Sequence, residues 1–445
     1  MDRQELARFA DWATTVRPED IPEASIASAR RIFFDDVAAT IGGHRDSEVR
    51  SVLEGWPLPP GRSTVLRPGG GTSNAWSAAE VNGMAGCWLE LDGGFRINTA
   101  HAGLYTVPTV LAMAEERDLP LGEALTAMLI GYEVAARIVT RWDIARAQSH
   151  GHGSVSAAAA AASAGRILGL DRDQMIAAIT SAVTLSSFAP FGHAFAGAVV
   201  RNLWSAVGTR TGQVAAHAAQ SGVGGLADSI DITYGEVLGA PRWEGATLPD
   251  EFGTAVQFAY QKMYGCCAYL HSSVEAVTGI REQGEFDPDD IVRISVDIHP
   301  VGLPLNDVAP TTTLGARFSA PHAIASTLIK GTAMPEAFAA DTLQDERVAA
   351  LRQRVEMREI TREGRDPALR DAEIHIEFKD HREATHYVDV AIGDPNRPLT
   401  IEQLRTKATT LCGGRDVGPL AAALLDGPLD LRFSTVTAAL EGLVA

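Results

Sequence analysis

The run Val292-Arg293-Ile294-Ser295-Val296-Asp297-Ile298-His299 alternates apolar with polar side chains. Successive side chains of a β-strand point to opposite faces, so the run predicts a strand that buries only the face of Val292, Ile294, Val296 and Ile298. Residues 372–378 and 384–390 alternate in the same way on either side of the polar turn 380–383, which predicts a β-hairpin. Residues 319–329 predict a helix between these strands. This part of the chain is therefore expected to form an α+β unit.

The chain before about residue 265 has helical periodicity almost throughout. Residues 26–39, 107–114 and 121–139 repeat apolar side chains at the spacing of one helix face. The first of these helices is expected to stop at Gly42-Gly43. The alanine-rich run 156–165 predicts a helix that its neighbours approach closely, as at the centre of a large bundle.

A break at Asp394-Pro395-Asn396-Arg397-Pro398 ends the α+β part, and Thr400 is a suitable N-cap for further helix. This order of elements predicts a mainly α protein with an inserted α+β domain. The large all-helical domain would comprise residues 1–267 and 396–445, and the smaller α+β lid domain would comprise residues 268–395.

Composition and charge argue against several classes of function. The chain has 445 residues and a net charge of −18, which argues against binding to nucleic acid or to an anionic membrane. A local basic cluster can still hold a small anion. There is no signal-peptide core and no membrane-spanning run, so a cytoplasmic protein is expected. The cysteines lack the spacing of a disulfide framework or a metal site, so reduced thiols and no metal are expected; they are Cys87, Cys266, Cys267 and Cys412.

Lys262 is one of four lysines in a chain that otherwise uses arginine, and it opens the segment 262–271 within an apolar stretch. An ammonium near apolar walls titrates more easily than a guanidinium, so Lys262 is a candidate for proton transfer. The alternative interpretation is a lysine at a helix end whose charged head reaches solvent.

Two glycine-containing segments carry histidines at breaks in the helical pattern. The first, residues 90–103, contains Asp92 and His101; the second, residues 149–154, contains His150 and His152. Loops held by a rigid scaffold are where catalytic groups tend to lie, although each histidine alone is also compatible with a structural hydrogen bond.

Several ordered motifs carry a resemblance to the MmgE/PrpD family, which includes 2-methylcitrate dehydratase, cis-aconitate decarboxylase and iminodisuccinate epimerase. The motifs are Ala79-Glu80-Val81-Asn82-Gly83 with Glu90-Leu91-Asp92, Gly131-Tyr132-Glu133, Arg166-Ile167-Leu168-Gly169, Lys262-Met263-Tyr264-Gly265-Cys266-Cys267, Ala316-Arg317-Phe318-Ser319 and Asn396-Arg397-Pro398-Leu399-Thr400. The resemblance implies a large helical domain, a smaller α+β lid, a cleft between them, a homodimer, and no metal or organic cofactor.

The resemblance also implies the site residues. The catalytic centre would contain Lys262, His150, His101 and Asp92. The substrate-binding residues would be Arg201, His152, Tyr264, His271, Arg96 and Glu90. Some relatives carry a second histidine two residues after the loop histidine, so the choice between His150 and His152 stays open.

The chain departs from the family pattern at two places. Arg201-Asn202-Leu203-Trp204 stands where better-known members have a lysine followed three residues later by a histidine. Arginine can bind a carboxylate bidentately but cannot transfer a proton, so Arg201 is expected to hold a substrate carboxylate. Cys267 occupies a position that is histidine in the decarboxylase. Both departures count against a simple transfer of either established activity.

The family chemistry is proton removal or addition at a carbon next to a carboxylate, with cations stabilising the aci-carboxylate and histidines sharing the acid and base roles. The resulting hypothesis is a cofactor-independent lyase that acts on a small anionic polycarboxylate, by dehydration of a 2-methylcitrate-like hydroxy acid. An epimerase and a decarboxylase are the alternatives on this scaffold. A non-catalytic scaffold protein and an iron-sulfur hydro-lyase are further alternatives, but Cys266 and Cys267 cannot supply three spaced thiolates.

Overall fold

The computed structural model describes residues 1–445. Helices account for most of the regular structure: α1 Arg3–Thr15, α2 Glu23–Arg45, α3 Ser47–Leu53, α4 Ala75–Gly86, α5 Ala102–Arg117, α6 Leu121–Val139, α7 Gly151–Ser154, α8 Ser156–Leu168, α9 Arg172–Leu185, α10 Gly192–Phe195, α11 Trp204–Ala219, α12 Ser229–Asp231, α13 His271–Gln283, α14 Thr313–Arg317, α15 Ala320–Lys330, α16 Ala340–Gln344, α17 Glu346–Arg352, α18 Ile401–Leu411, α19 Gly418–Leu424 and α20 Phe433–Val444. None of them combines the length and apolar character that a membrane span requires.

The strands are few and mostly short: β1 Ser63–Thr64, β2 Thr72–Ser73, β3 Gly94–Phe95, β4 Ala259–Tyr260, β5 Ile291–Ile298, β6 Val355–Glu359, β7 Ala372–Phe378 and β8 Glu383–Val388. The last four form one sheet in the order β6-β5-β7-β8, in which β5 and β6 are parallel and the other pairs antiparallel. Helix α13 packs on β7 and β8, and α15 packs on α13 and α17. Sheet and helices together make a compact α+β unit.

The buried apolar side chains fall into two separate cores. One is built from residues between Met1 and Val256 and between Leu399 and Val444. The other is built from residues between Cys266 and Val388, with Ala194 added from the helical part. The exact domain bounds drawn from the sequence remain a prediction, but two cores mean that the chain contains two packed units with a seam between them.

The alanine-rich helix α8 lies at the centre of the helical unit, against α5, α6, α9 and α11. A Cβ atom on Gly212 of α11 would lie 2.5 Å from Cβ of Ala160, and one on Gly208 would lie 1.7 Å from Oγ of Ser156. Only small residues on both helices permit this approach. Helix α8 follows the single-turn helix α7 directly, so this packing also fixes the position of α7. Two of the predicted site histidines lie at the start of α7.

The prediction that the first long helix stops at Gly42-Gly43 is wrong. Helix α2 continues through both glycines to Arg45, and both are buried. A Cβ atom on Gly43 would lie 1.9 Å from the carbonyl oxygen of Ala85 in α4. The glycines therefore allow two helices to pack closely, rather than ending one of them.

Two features of the sheet also differ from the prediction. Val292 is 52% exposed, because the β5–β7 register shifts between Ile291 and Arg293 and turns Ile291 into the core instead. Strand β6 was not predicted, since it has no clear alternation and buries only Val355 at its start.

Candidate active site

A cavity of about 450 Å³ lies at the seam between the two units. The helical unit and the segment 260–269 supply most of its wall, and the α+β unit supplies Phe318 and Arg370. The full lining consists of Glu90, Phe95, Thr99, Ala100, His101, His150, Phe191, Phe195, Arg201, Tyr260, Lys262, Cys267, Ala268, Tyr269, Phe318 and Arg370.

The loop that begins with Glu90 and Asp92 is anchored from behind. Nζ of Lys407 donates to the Leu91 carbonyl over 2.9 Å, and the Gly93 amide donates to Oδ1 of Asp36 over 2.9 Å. Strand β3, just beyond, pairs with β4. The loop is therefore held by α2, by α18 and by the strand that leads to Lys262.

Asp92 and His101 form a buried pair with Nδ1 of the ring 2.6 Å from Oδ2 of the carboxylate. Burial opposes the charge on Asp92, but the Coulomb attraction of Lys262 and His101 outweighs it and holds the pKa of Asp92 well below its ordinary value. An ionised Asp92 accepts the Nδ1 proton and leaves Nε2 of His101 as the ring atom free to take a proton from the cavity.

His150 is the N-cap residue of α7, and its Nδ1 accepts from the His152 amide over 3.2 Å. Because a backbone N–H can only donate, the neutral ring of His150 carries its hydrogen on Nε2. Burial, and then the charge of Arg201, holds the pKa of His150 well below its usual range. His150 therefore presents a neutral N–H donor to the cavity.

His152 lies behind the other two histidines and does not line the cavity. Its ring centroid is 4.8 Å from that of His101 and 4.4 Å from that of His150, and its Nδ1 lies 3.0 Å from the Tyr105 hydroxyl. Of the two loop histidines left open by the sequence, the structure brings His150 to the cavity and uses His152 to support it. The substrate-binding role predicted for His152 does not fit its position.

Glu90 links Lys262 and Arg201 in a buried network. Its Oε2 lies 2.8 Å from Nζ of Lys262, and its Oε1 lies 2.6 Å from a terminal nitrogen of Arg201. Nζ of Lys262 is also 3.7 Å from Oδ1 of Asp92. All of these side chains are almost fully buried. Glu90 was predicted to bind substrate, but its two oxygens are instead engaged by cations of the protein.

This network corrects two predictions. Lys262 does not titrate more easily than usual: burial lowers its pKa, but Glu90 and Asp92 outweigh burial and raise the pKa of Lys262 above its ordinary value. Lys262 is therefore a fixed ammonium. Arg201 lines the cavity, but its guanidinium is bound to Glu90 rather than free to grip a substrate carboxylate.

Three predicted substrate-binding residues do not reach this cavity. Arg96 forms an ion pair with Asp394 at 2.8 Å and lines a neighbouring cavity of about 430 Å³, as His271 does. Burial, and then Lys262, lowers the pKa of His271 to about 3. Tyr264 lines neither cavity and packs against His271, with their ring centroids 5.3 Å apart.

Several lining residues could not be predicted from the sequence. Arg370 ends a polar segment without periodicity, and Phe191 and Phe195 come from a short helix and its flank, so no local pattern marks them; Phe318 lies in the motif 316–319 but had no predicted role. The only possible signal is the apolar character of the phenylalanines, which is the same for any core position.

Two non-glycine residues with left-handed backbone mark the site. Glu90 has φ of 54° and Gln148 has φ of 59°, and each stands two residues before a site residue, Asp92 and His150 respectively. Such a conformation costs on the order of 1–3 kcal/mol for a residue with a side chain. Surrounding contacts must hold both loops in place, which is a common property of functional sites.

Asp92, His101 and His152 are the residues that could in principle hold a metal, because their donor atoms all lie within 4.8 Å of one another. The surroundings do not favour one. Asp92 already accepts from His101, and the ammonium of Lys262 is 3.7 Å from its other oxygen. A divalent cation would meet this fixed positive charge at short range.

Two packed units with a seam cavity lined by His101, His150 and Lys262 define the general class: a two-domain protein with ionisable side chains at the seam. Residues 7–238 match the MmgE/PrpD N-terminal domain and residues 264–418 match the MmgE/PrpD C-terminal domain. The chain belongs to the MmgE/PrpD family.

Curated relatives match this chain along nearly its whole length. The cis-aconitate decarboxylase-like protein oryM of Aspergillus oryzae is 24% identical, covering 90% of this chain and 89% of the relative. Two cis-aconitate decarboxylases of Aspergillus terreus are each 23% identical; one match covers 92% of this chain and 89% of the relative, and the other covers 98% and 95%. These relatives are enzymes of a lyase type.

Proposed function

We propose that this protein is a metal-independent lyase that moves a proton at a carbon next to a carboxylate and eliminates water from a hydroxy acid. The single observation that carries the proposal is the geometry of His101, whose Nδ1 is 2.6 Å from the ionised Asp92 and whose Nε2 is left for the cavity. A carboxylate that fixes the tautomer of a neighbouring histidine makes that ring an oriented base.

In the proposed reaction, Nε2 of His101 takes the proton from the carbon next to the carboxylate. The electron pair of that C–H bond forms the C=C bond as the C–O bond at the neighbouring carbon breaks. The departing hydroxide takes the proton back from the His101 imidazolium and leaves as water. The ammonium of Lys262 and the Nε2–H group of His150 stabilise the negative charge that builds up on oxygen.

His150 does not share the acid and base roles in this proposal, because its Nδ1 already accepts from the His152 amide and its neutral ring carries a hydrogen on Nε2. A single acid–base group suits elimination on one face of the substrate. Epimerisation requires a proton donor and an acceptor on opposite faces, so the cavity gives the epimerase alternative less support.

Decarboxylation is the second candidate, favoured by the activity in the names of the Aspergillus relatives. Here the C–C bond to a carboxylate would break, CO₂ would leave, and the electron pair would remain on carbon until a protonated His101 donates to it. The same ammonium of Lys262 would stabilise the intermediate.

The test is incubation of the purified protein in D₂O with 2-methylcitrate, citrate, malate, cis-aconitate and the monocarboxylate 3-hydroxyhexanoate, followed by proton NMR and by an assay for CO₂. Elimination yields an alkene without CO₂, seen as a new olefinic proton signal or, for 2-methylcitrate, as collapse of the methyl doublet to a singlet; decarboxylation yields CO₂ with one deuterium in the product. Inactivity on the whole panel, without deuterium exchange into any compound, would support a non-catalytic scaffold instead.

We also propose that the protein forms a homodimer. Val207 and Val214 lie seven residues apart on α11, and therefore on one face of it, and are 51% and 42% exposed. Clustered exposed apolar side chains are typical of a protein interface. Light scattering should give a dimer mass, and the double change Val207→Asp and Val214→Asp should give a monomer; a wild-type monomer would contradict the proposal.

A further inference from the structure

The charges around the cavity balance one another with one exception. Glu90 and Asp92 are the carboxylates, and the fixed cations of Lys262 and Arg201 lie against them. Arg370 lines the same cavity and lies within ion-pair distance of no carboxylate. Its guanidinium is therefore the one uncompensated positive charge in the wall.

The neighbours of Arg370 leave its positive charge without a carboxylate partner. The adjacent carboxylate, Asp371, is fully buried and already bound by Arg365, with 2.6 Å between Oδ1 and a terminal nitrogen. The guanidinium of Arg370 lies over the ring of Tyr269, 5.0 Å from its centroid. An arginine held on an aromatic ring, without an acid partner, is well placed to bind a carboxylate bidentately.

A second part of the wall is apolar. The ring centroids of Phe191 and Phe195 are 5.3 Å apart, and those of Phe195 and Phe318 are 6.0 Å apart, so the three rings form one continuous surface. His150 stacks on Phe191 at 5.2 Å. The guanidinium of Arg201 lies 5.7 Å from the centroid of Phe318 but is already bound to Glu90, so a carboxylate placed on these rings would lose water for little gain, which is costly.

We infer that the substrate carries one carboxylate, bound by Arg370, and one apolar substituent, which lies on Phe191, Phe195 and Phe318. The inference rests on the proposed function, since it takes this cavity as the active site. The single carboxylate lies between Arg370 and Lys262, which both adjoin Tyr260. A tricarboxylate would bring three negative charges to one free cation. The substrate class therefore differs from cis-aconitate, which the names of the relatives contain.

The test is equilibrium binding of hexanoate, adipate and tricarballylate to the purified protein, by saturation-transfer NMR and calorimetry. Hexanoate and adipate share a six-carbon chain and differ by a terminal methyl group against a second carboxylate. Hexanoate should bind about tenfold or more tightly than either competitor. Arg370→Gln should weaken hexanoate binding by about tenfold or more, and Phe195→Asn should remove the advantage of hexanoate over adipate.

Arg382→Gln is the matched control, because Arg382 is an exposed arginine of the same unit that pairs with Asp380 and lines neither cavity. It should leave hexanoate binding unchanged. If Arg370→Gln does not fold, Arg370→Lys keeps the charge without the planar fork and should bind hexanoate with intermediate affinity.

The inference is wrong if hexanoate does not bind, if tricarballylate binds more tightly, or if Arg370→Gln leaves the affinity for hexanoate intact. These outcomes are separate from the fate of the proposed reaction. Binding of hexanoate that depends on Arg370, in a protein that never exchanges substrate protons with D₂O, would keep the inference and reject the lyase. Elimination from a tricarboxylate that is unaffected by Arg370→Gln would keep the lyase and reject the inference.

Discussion

Nδ1 of His101 lies 2.6 Å from Oδ2 of Asp92, and both side chains are buried. This contact decides which ring nitrogen can react. It also makes the proposed base depend on a carboxylate that does not itself line the cavity.

Asp92→Asn should therefore retain the fold but lose most of the turnover. The amide can donate to Nδ1 and so place the hydrogen of His101 on Nε2, where the proposed base needs a lone pair. A loss of kcat of up to about ten-thousandfold is expected, as in other histidines held in the wrong tautomer. Steady-state kinetics and circular dichroism check this, with the exposed Asp380→Asn as control; near-normal kcat would remove Asp92 from the mechanism.

Lys262→Met should lower both activity and stability. The change leaves Glu90 and Asp92 buried with one cation fewer, and breaking such a network costs on the order of 3–5 kcal/mol of unfolding free energy. Urea unfolding measures it, and Glu90→Gln in the same chain should restore part of the loss. Lys379→Met, at an exposed lysine, should change neither quantity. A stable, inactive Lys262→Met variant would show that the pair contributes little to folding.

Neither Lys262 nor His150 should contribute an ionisation to the pH profile of turnover between about pH 5 and 8. The raised pKa of Lys262 keeps it charged above this range, and the lowered pKa of His150 keeps it neutral through it. A bell-shaped profile from initial rates would indicate a second titrating group and contradict the one-base proposal.

Gly43→Ala should destabilise the helical unit, because the new methyl group would lie 1.9 Å from the Ala85 carbonyl oxygen. Overpacking of this kind costs about 1–3 kcal/mol. Gly442→Ala is the matched control: it is a helical glycine with open space around it, and it should be neutral or stabilising by up to about 1 kcal/mol. Thermal unfolding of both variants decides whether α2 and α4 pack as closely as described.

Local sequence patterns predicted much of the fold. Helix α6 has the bounds Leu121–Val139 that its periodicity indicates, and Thr400 caps α18 with a reciprocal Gln403 contact. Strand β6 had no such pattern, since its place is set by pairing with β5, about sixty residues earlier in the chain. Sequence periodicity shows which face of an element is buried. It cannot predict a strand whose position is set by pairing with another strand rather than by burial of one face.

The site was harder to predict than the fold. The residue types at Asp92, His101, His150 and Lys262 pointed to acid–base chemistry, and the structure brings them together. The charge state of Lys262 could not be predicted, because its carboxylate partner Glu90 is 172 residues away in the chain. Burial alone suggested an easily titrated amine, whereas the partners reverse the sign of the shift.

The proposed reacting groups and the proposed substrate-binding arginine belong to different units, which has a consequence for how such proteins diverge. The proposed reacting groups, His101, Asp92 and Lys262, are set in or next to the helical unit, whereas Arg370 lies in the loop between β6 and β7. Since the inner charges already neutralise one another, replacing Arg370 would alter the preferred ligand without leaving a buried charge unpaired. A duplicated gene could thus acquire a new substrate through point mutations in one surface-connected loop, while the inherited chemistry stays intact under selection.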